Sequence, residues 1–360
     1  VQQEIEINGV LQFRPAFFER VWGGHALREK LSLETPEHLR IGEAWLLSDH
    51  PVHESVVMDG PHEGRSIHTL LDFNEAALLG RLPRRTRAGR FPLMLKLLDC
   101  TEMLSVQVHP DDALSGELGE EDGGKTEMWY FLDCAPGADI ICGLSESATP
   151  DGVSSAVANA AVGPWLRSWP VHPGDAALVR AGTVHALGGG LLAAEIQQTS
   201  DITYRLHDWN RVDAHGMPRE LHVEKAMRCI NWTQPFPGLA APLPRADEHG
   251  RRVVLGACEF FAAERVDTDG SAHAWESGGR SFRLLLGIEG EVNISAGADA
   301  AVLLPGHSAL VAGCEPGYIS EGQGAFLDFY VPDLEYDIAL PLRRAGHGER
   351  AIRALMGYVN

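Results

Sequence analysis

The sequence predicts a mainly β protein, a sandwich or barrel with helices inserted in its first part. Three observations carry this expectation. Short apolar runs broken by Gly, Pro and Asp recur, as at 91–100, 127–134, 138–144 and 175–182. Stretches with helical periodicity are few. One β-pattern also occurs twice: "PGDAALV", Pro173 to Val179, returns as "PGHSALV", Pro305 to Val311. Upstream of each, "EMWYFLDCAPGADI" and "SFRLLLGIEGEVNI" share a strand–turn–strand pattern, so the chain reads as two copies of one architecture.

Taken in order, 66–80 reads as a helix, with Ser66 as N-cap, spaced leucines and Gly80 as the stop. The run "LSVQVHPDDALSG", 104–116, begins as a strand and ends at a proline. Helical spacing returns at 149–166 and at 221–230. The proline-rich stretch 231–250 has little periodicity and reads as an interdomain linker. This gives two expected domains, 1–236 with the helical insertions and 237–360. Strand patterns resume at 251–266, 281–295 and 326–332, and 348–360 has helical spacing.

The chain has 360 residues, 44% of them hydrophobic, enough for a large core. Its formal charge is −20, and no basic face is evident, which argues against a nucleic-acid partner. An anionic substrate requires basic residues to converge locally. No apolar run approaches the roughly 20 residues that span a bilayer, and the first residues do not resemble a signal peptide. Cys100, Cys134, Cys142, Cys229, Cys258 and Cys314 form no C-x-x-C pair and read as reduced thiols. The expected compartment is the cytoplasm.

In a strand, Ser105, Gln107 and His109 point to one face, with Val106 and Val108 on the other. Glu127 opens a later strand and His185 follows a Gly-turn. Two imidazoles, a carboxylate and an amide oxygen suit zinc, manganese, iron or cobalt. No thiolate joins them, so an open catalytic site fits better than a closed structural one. The second copy aligns Ser281 with Glu127 and has no histidine in "AGCEPGYIS", so one metal per chain is expected.

"PGDAALVRAGTVH" resembles the second motif of the cupin superfamily, whose histidine binds metal; it departs where Arg180 replaces a proline and Gly189 an asparagine. Over most of its length the chain resembles type I mannose-6-phosphate isomerases of the short bacterial form. The segments are "ERVWGG", "IGEAWLLSDHP", "FPLMLKLLD", "LSVQVHPDD", "GKTEMWYFLDCAPGADIICGL", the long run 173–211 and "RELHVEKA", in matching order and spacing.

That resemblance implies two cupin-like jelly-roll β-sandwich domains, with the helices inserted in the first. It implies one zinc ion on Gln107, His109, Glu127 and His185. It implies catalytic roles for Arg205, Lys125 and Glu195, and substrate contacts from Ser105, Lys96 and Arg211. The implied reaction interconverts mannose 6-phosphate and fructose 6-phosphate through a cis-enediol(ate). The base is open among Glu195, Lys125 and a water on the metal. Rival readings are an isomerase of a related free or phosphorylated sugar, a non-catalytic metal-binding cupin that senses or stores a sugar, and an iron-dependent oxidative cupin. The last two give no reason for Lys125 and Arg205 beside the site.

Overall fold

Strand 93–100, "LMLKLLDC", is apolar almost throughout, and the fold explains why. Leu93, Leu95 and Leu97 face one core, while Leu98 and Cys100 face another. A strand covered on both faces loses the polar alternation of a half-exposed one. Lys96 breaks the inward run. It is buried, as is Glu195 directly across the strand pair. Each fully buried Leu or Phe contributes about 1.5–3 kcal/mol, so a buried lysine at such a place forgoes that gain and needs charged partners.

A computed structural model describes residues 6–212, 216–233, 238–245 and 252–358. It is mainly β, as expected. In the first part, two antiparallel sheets face each other. One has six strands, in the order 176–179, 127–134, 191–198, 93–100, 41–47 and 16–24. The other has five, in the order 166–170, 139–144, 185–187, 106–108 and 204–207. Trp129, Phe131 and Ala193 of the first meet Ile140, Cys142 and Leu187 of the second in one core.

The outer face of the five-stranded sheet carries helices. Val106 and Val108 pack there with Val153 and Ala156 of helix Pro150–Ala158 and Ala226 of helix Val223–Cys229. Gln107, between the two valines, therefore turns inward. The back of the six-stranded sheet packs on the second half: Leu95, Tyr130 and Leu178 share a core with Leu255, Phe261 and Phe329.

The second half is one nine-stranded antiparallel sheet led by two 14-residue strands, Arg283–Ala296 and Gly317–Tyr330. Leu285, Val292, Leu303, Val311 and Phe326 converge on one core, so the sheet curves around it. Strand Val10–Leu11, from the start of the chain, pairs with Leu310 and Val311. Ser281, the counterpart of Glu127, accepts a hydrogen bond from the Val331 N–H at 3.1 Å. Arg180, in place of the cupin proline, donates to the Met356 carbonyl at 2.8 Å and lies over the Tyr358 ring, tying the last helix to the sandwich.

The helix expected over 66–80 is two helices, Ile67–Phe73 and Glu75–Leu79. Asn74 leaves helical geometry and caps the second through Ala77 N–H, and Ser66 caps the first through Thr69 N–H. The helix expected over 149–166 ends at Ala158. Ala160 adopts a left-handed φ of 52°, Gly163 and Pro164 turn the chain, and 166–170 becomes an edge strand. Part of the expected linker joins the second sheet, where Leu243 pairs with Val254; residues 234–237 and 246–250 of it lie outside the described ones. All six cysteines are free thiols.

Candidate active site

Gln107 sits on the strand next to the sheet edge, with His185 of the central strand opposite on one side and Arg205 of the edge strand opposite on the other. Glu127 comes from the facing sheet. His109 follows just past the Gln107 strand. The fold thus brings the four expected ligands together between the sheets.

His185 Nε2 lies 3.2 Å from Glu127 Oε1, and His109 Nε2 lies 3.5 Å from Glu127 Oε2. All three residues are fully buried. Yet His109 Nε2 and Glu127 Oε1 have no hydrogen-bond partner, and Glu127 Oε2 meets only the Lys125 ammonium, 2.9 Å away. Buried polar atoms are rarely left so, and several in one place call for an explanation. The other ring nitrogens are committed: His109 Nδ1 donates to the Ile202 carbonyl at 2.7 Å and His185 Nδ1 to the Thr183 carbonyl at 2.8 Å. Those bonds fix the tautomer and turn both Nε2 lone pairs toward Glu127.

Electrostatics agree. Burial, helped by the Lys125 charge, lowers His109 to about 3, and burial lowers His185 as well, so both imidazoles are neutral. Burial alone would raise Glu127, but its neighbours, the Lys125 ammonium foremost, outweigh it and hold the carboxyl well below its ordinary value. Three deprotonated donor atoms within 4.8 Å of one another fit a divalent cation. Gln107 Nε2 stands 3.2 Å from His185 Nε2. The reversed amide orientation, of the same shape, would turn its oxygen toward that cluster and its nitrogen toward Ser105. A second cluster, Asp49, Glu54 and His68, differs: none of its atoms is buried without a partner, and Asp49 is bonded by Phe91 N–H at 2.7 Å and by His68 Nδ1 at 3.1 Å.

A cavity of about 330 Å³ opens beside Gln107. Arg20, Lys96, Lys125, Arg205 and Arg219 line it, against the carboxylates of Glu43, Glu195 and Asp201. Five cations against three carboxylates is the local convergence that an anionic substrate needs in a protein of charge −20. Arg20 is taken up by Glu43 at 2.7 Å, and Lys125 by Glu127 at 2.9 Å. Lys96 lies 3.7 Å from Glu195, 3.9 Å from Asp201 and 4.7 Å from the Trp45 ring centre.

Lys125 is held protonated: burial would lower it, but the carboxylates of Glu127 and Glu195 raise it above its ordinary value. Glu195 moves the other way for a carboxyl. Burial and the Glu127 charge raise it, despite Lys125, Lys96 and a hydrogen bond from Trp129 Nε1 at 3.0 Å. Arg205 Nε donates to Ser105 Oγ at 3.2 Å, and its Nη1 to the Glu220 carbonyl at 2.9 Å.

Of the six residues expected to act on or contact the substrate, only Arg211 stands off the cavity; of the four expected metal ligands, Gln107 alone lines it. Its Nη1 donates to the Met103 carbonyl at 2.7 Å, and it pairs with Asp208. Arg219 and Glu43, by contrast, line the cavity and were not singled out. Glu43 lies in the quoted "IGEAW" and Arg219 in "RELHVEKA", but a lone charge in either carries no local signature of a site.

Comparison with known proteins bears on this geometry. A profile of phosphomannose isomerase type I, catalytic domain, matches residues 10–127. Mannose-6-phosphate isomerase ManA of Bacillus subtilis is 37% identical over 287 residues, covering 80% of this chain and 88% of that protein. The mannose-6-phosphate isomerase of Streptococcus mutans is 33% identical over 291 residues, covering 80% and 87%. A crystal structure of the Bacillus subtilis mannose 6-phosphate isomerase superposes with a TM-score of 0.79 at 30% identity, covering 89% of this chain and 99% of that one. Identity at this level, across most of both chains and on a shared fold, makes this protein a member of the type I mannose-6-phosphate isomerase family.

Proposed function

We propose that this chain interconverts mannose 6-phosphate and fructose 6-phosphate using one zinc ion. The observation that carries the reading is the buried cluster of His109 Nε2, His185 Nε2 and the Glu127 carboxylate, in which His109 Nε2 and Glu127 Oε1 have no hydrogen-bond partner, next to a cavity in which cations outnumber carboxylates. These residues, with Gln107, would hold the zinc. Zinc supplies a Lewis acid for the oxygen on which negative charge develops.

The chain's own residues do the rest. Isomerisation moves a proton from C2 of the aldose to C1 and a proton from O2 to O1. Glu195 is the carbon base: it lines the cavity, and burial raises its basicity above that of an exposed carboxylate. Lys125, kept as an ammonium, is a proton donor on the oxygen side rather than a base. Arg205 brings fixed positive charge to the enediolate, oriented by Ser105 and the Glu220 carbonyl. Trp22, Leu98 and Leu104 form apolar wall that keeps bulk water from the carbanionic carbon. Lys96 fixes Glu195 and Asp201 in place.

A coupled assay with mannose 6-phosphate, run with and without chelator, tests the reading. Chelator-sensitive formation of fructose 6-phosphate is the expected result. Metal content without any turnover of mannose 6-phosphate would favour a sugar-binding cupin instead.

A further inference from the structure

We propose that Arg219 binds the phosphate of the substrate, in an anion cradle where the Asp208-held arginines meet the cavity wall beside Arg205. The inference rests on the sugar-phosphate reading above and names the residue on which its anion selectivity depends.

Charge bookkeeping around the cavity locates this cradle. Arg20 and Lys125 each face a carboxylate at hydrogen-bonding distance, and Lys96 lies between Glu195 and Asp201. The surplus is elsewhere. Arg205, Arg211 and Arg219 gather around a single buried carboxylate, Asp208. Arg219 Nε donates to Asp208 Oδ2 at 2.7 Å, and its Nη2 to Oδ1 at 2.5 Å. Arg211 shares the same Oδ1 at 2.5 Å. Glu220, the other acid nearby, is largely in solvent, with its side chain 83% exposed. Three guanidiniums on one buried carboxylate leave a net positive pocket, which a dianion can neutralise.

Geometry separates the three arginines. Arg211 is turned away onto the Met103 carbonyl and does not line the cavity. Arg205 and Arg219 both line it. Arg205 Nη2 and Arg219 Nη1 make no hydrogen bond to any described residue, so each keeps donors for a ligand. Ser105 Oγ, which accepts from Arg205, adds a hydroxyl at the same place. Asp208 grips Arg219 through both oxygens, which fixes the plane of the guanidinium before a ligand arrives. A pre-set planar fork suits phosphate oxygens. Arg205 is the charged neighbour of Arg219 and the cross-strand partner of Gln107, so it links the Arg219 cradle to the strand that carries the proposed metal ligands.

The test compares metal-loaded full-length protein with Arg219→Gln and Arg219→Lys. Steady-state kinetics with mannose 6-phosphate give KM and kcat. Calorimetry with inorganic phosphate gives a dissociation constant that needs no turnover. Arg219→Gln is expected to raise both KM and the phosphate dissociation constant by about 10–100-fold, the range of one charge-assisted bond, with kcat within about 3-fold. Arg219→Lys is expected to lose less, about 3–10-fold, because the charge remains and the fork does not. It carries the test alone should Arg219→Gln melt below the assay temperature. Phosphate affinity equal to wild type in the folded variants would overturn the proposal and leave Arg219 a structural partner of Asp208. A wild-type protein that fails to isomerise mannose 6-phosphate, yet binds phosphate in an Arg219-dependent way, would sink the isomerase reading while supporting the anion cradle.

Discussion

Glu127 and His185 stand on facing sheets, yet Glu127 Oε1 lies 3.2 Å from His185 Nε2 with no hydrogen bond between them. Two acceptors that close, both buried, repel unless a cation lies between. Removing either should therefore act through the metal. His185→Ala is expected to weaken zinc binding and abolish isomerisation, with partial rescue by added zinc. Because a metal that binds only the folded state stabilises it, by about 2.7 kcal/mol at 100 times Kd, wild type should also melt higher with zinc than with chelator, and the variant should not. Elemental analysis and thermal melts check this. A His185→Ala protein with full zinc and full activity would refute the ligand assignment.

Arg205→Ala removes no proposed ligand. It should keep its metal and its melting temperature but lose about 10²–10³ in kcat, the usual size of one lost electrostatic donor. The loss should fall on kcat more than KM, since the guanidinium charge matters most as the enediolate forms. Arg205→Lys should recover little, because an ammonium cannot reach Ser105 Oγ and the Glu220 carbonyl together. Near-normal kcat in Arg205→Ala would make this residue a structural contact only.

Glu195→Gln keeps the shape and removes the base. About a 10²–10⁴-fold fall in kcat is expected, with zinc content unchanged. The pH profile gives a second check on wild type. Glu195 must be ionised to take the C2 proton, and burial raises it above 4.5. Activity should therefore fall, as pH drops, at a higher pH than an ordinary glutamate would give. Loss of solvent exchange into C1 or C2 during turnover of Glu195→Gln would show directly that the proton transfer is gone. An active Glu195→Gln enzyme would point to another base.

The proposed metal ligands are legible in the sequence because three of them belong to short patterns. Gln107 and His109 share a strand face, and His185 ends a Gly-turn motif; the alternation of "SVQVH" reports burial on one side and chemistry on the other. Arg219 and Arg211 show the opposite case. Which of them faces the cavity depends on how each reaches Asp208, a tertiary relation with no local spacing. The same holds for Val10–Leu11, whose partner strand lies some 300 residues on. Over 149–166 apolar spacing continues past Asn159, but the Gly163–Pro164 turn decides the backbone and the helix is shorter than its pattern. Local propensity gave way there to a strand pairing with 139–144.

The second half carries charge where the first carries donors for a metal, and this gives an acid-stability prediction. Glu264 is fully buried and accepts from Arg252 Nε at 2.6 Å, Arg245 Nη1 at 2.6 Å and Tyr330 OH at 2.5 Å. Burial alone would raise its pKa, but Arg252 and Arg245 outweigh burial and lower it to about 2. The folded value lies below the unfolded one, near 4.5. Such a group contributes stability that is fully present above the unfolded value and is lost as pH falls toward the folded value. Denaturant unfolding of wild type should therefore weaken between about pH 4.5 and 2. Glu264→Gln leaves Arg252 buried with only Asp328 as a carboxylate partner, at 3.2 Å. Breaking a buried pair in this way costs about 3–5 kcal/mol. The variant should be less stable at pH 7 and lose less on acidification, since the group that titrates is gone. Zinc content should not change, because Glu264 belongs to the other half. Equal acid sensitivity in Glu264→Gln and wild type would show that other carboxylates, Asp328 first among them, govern the acid limb.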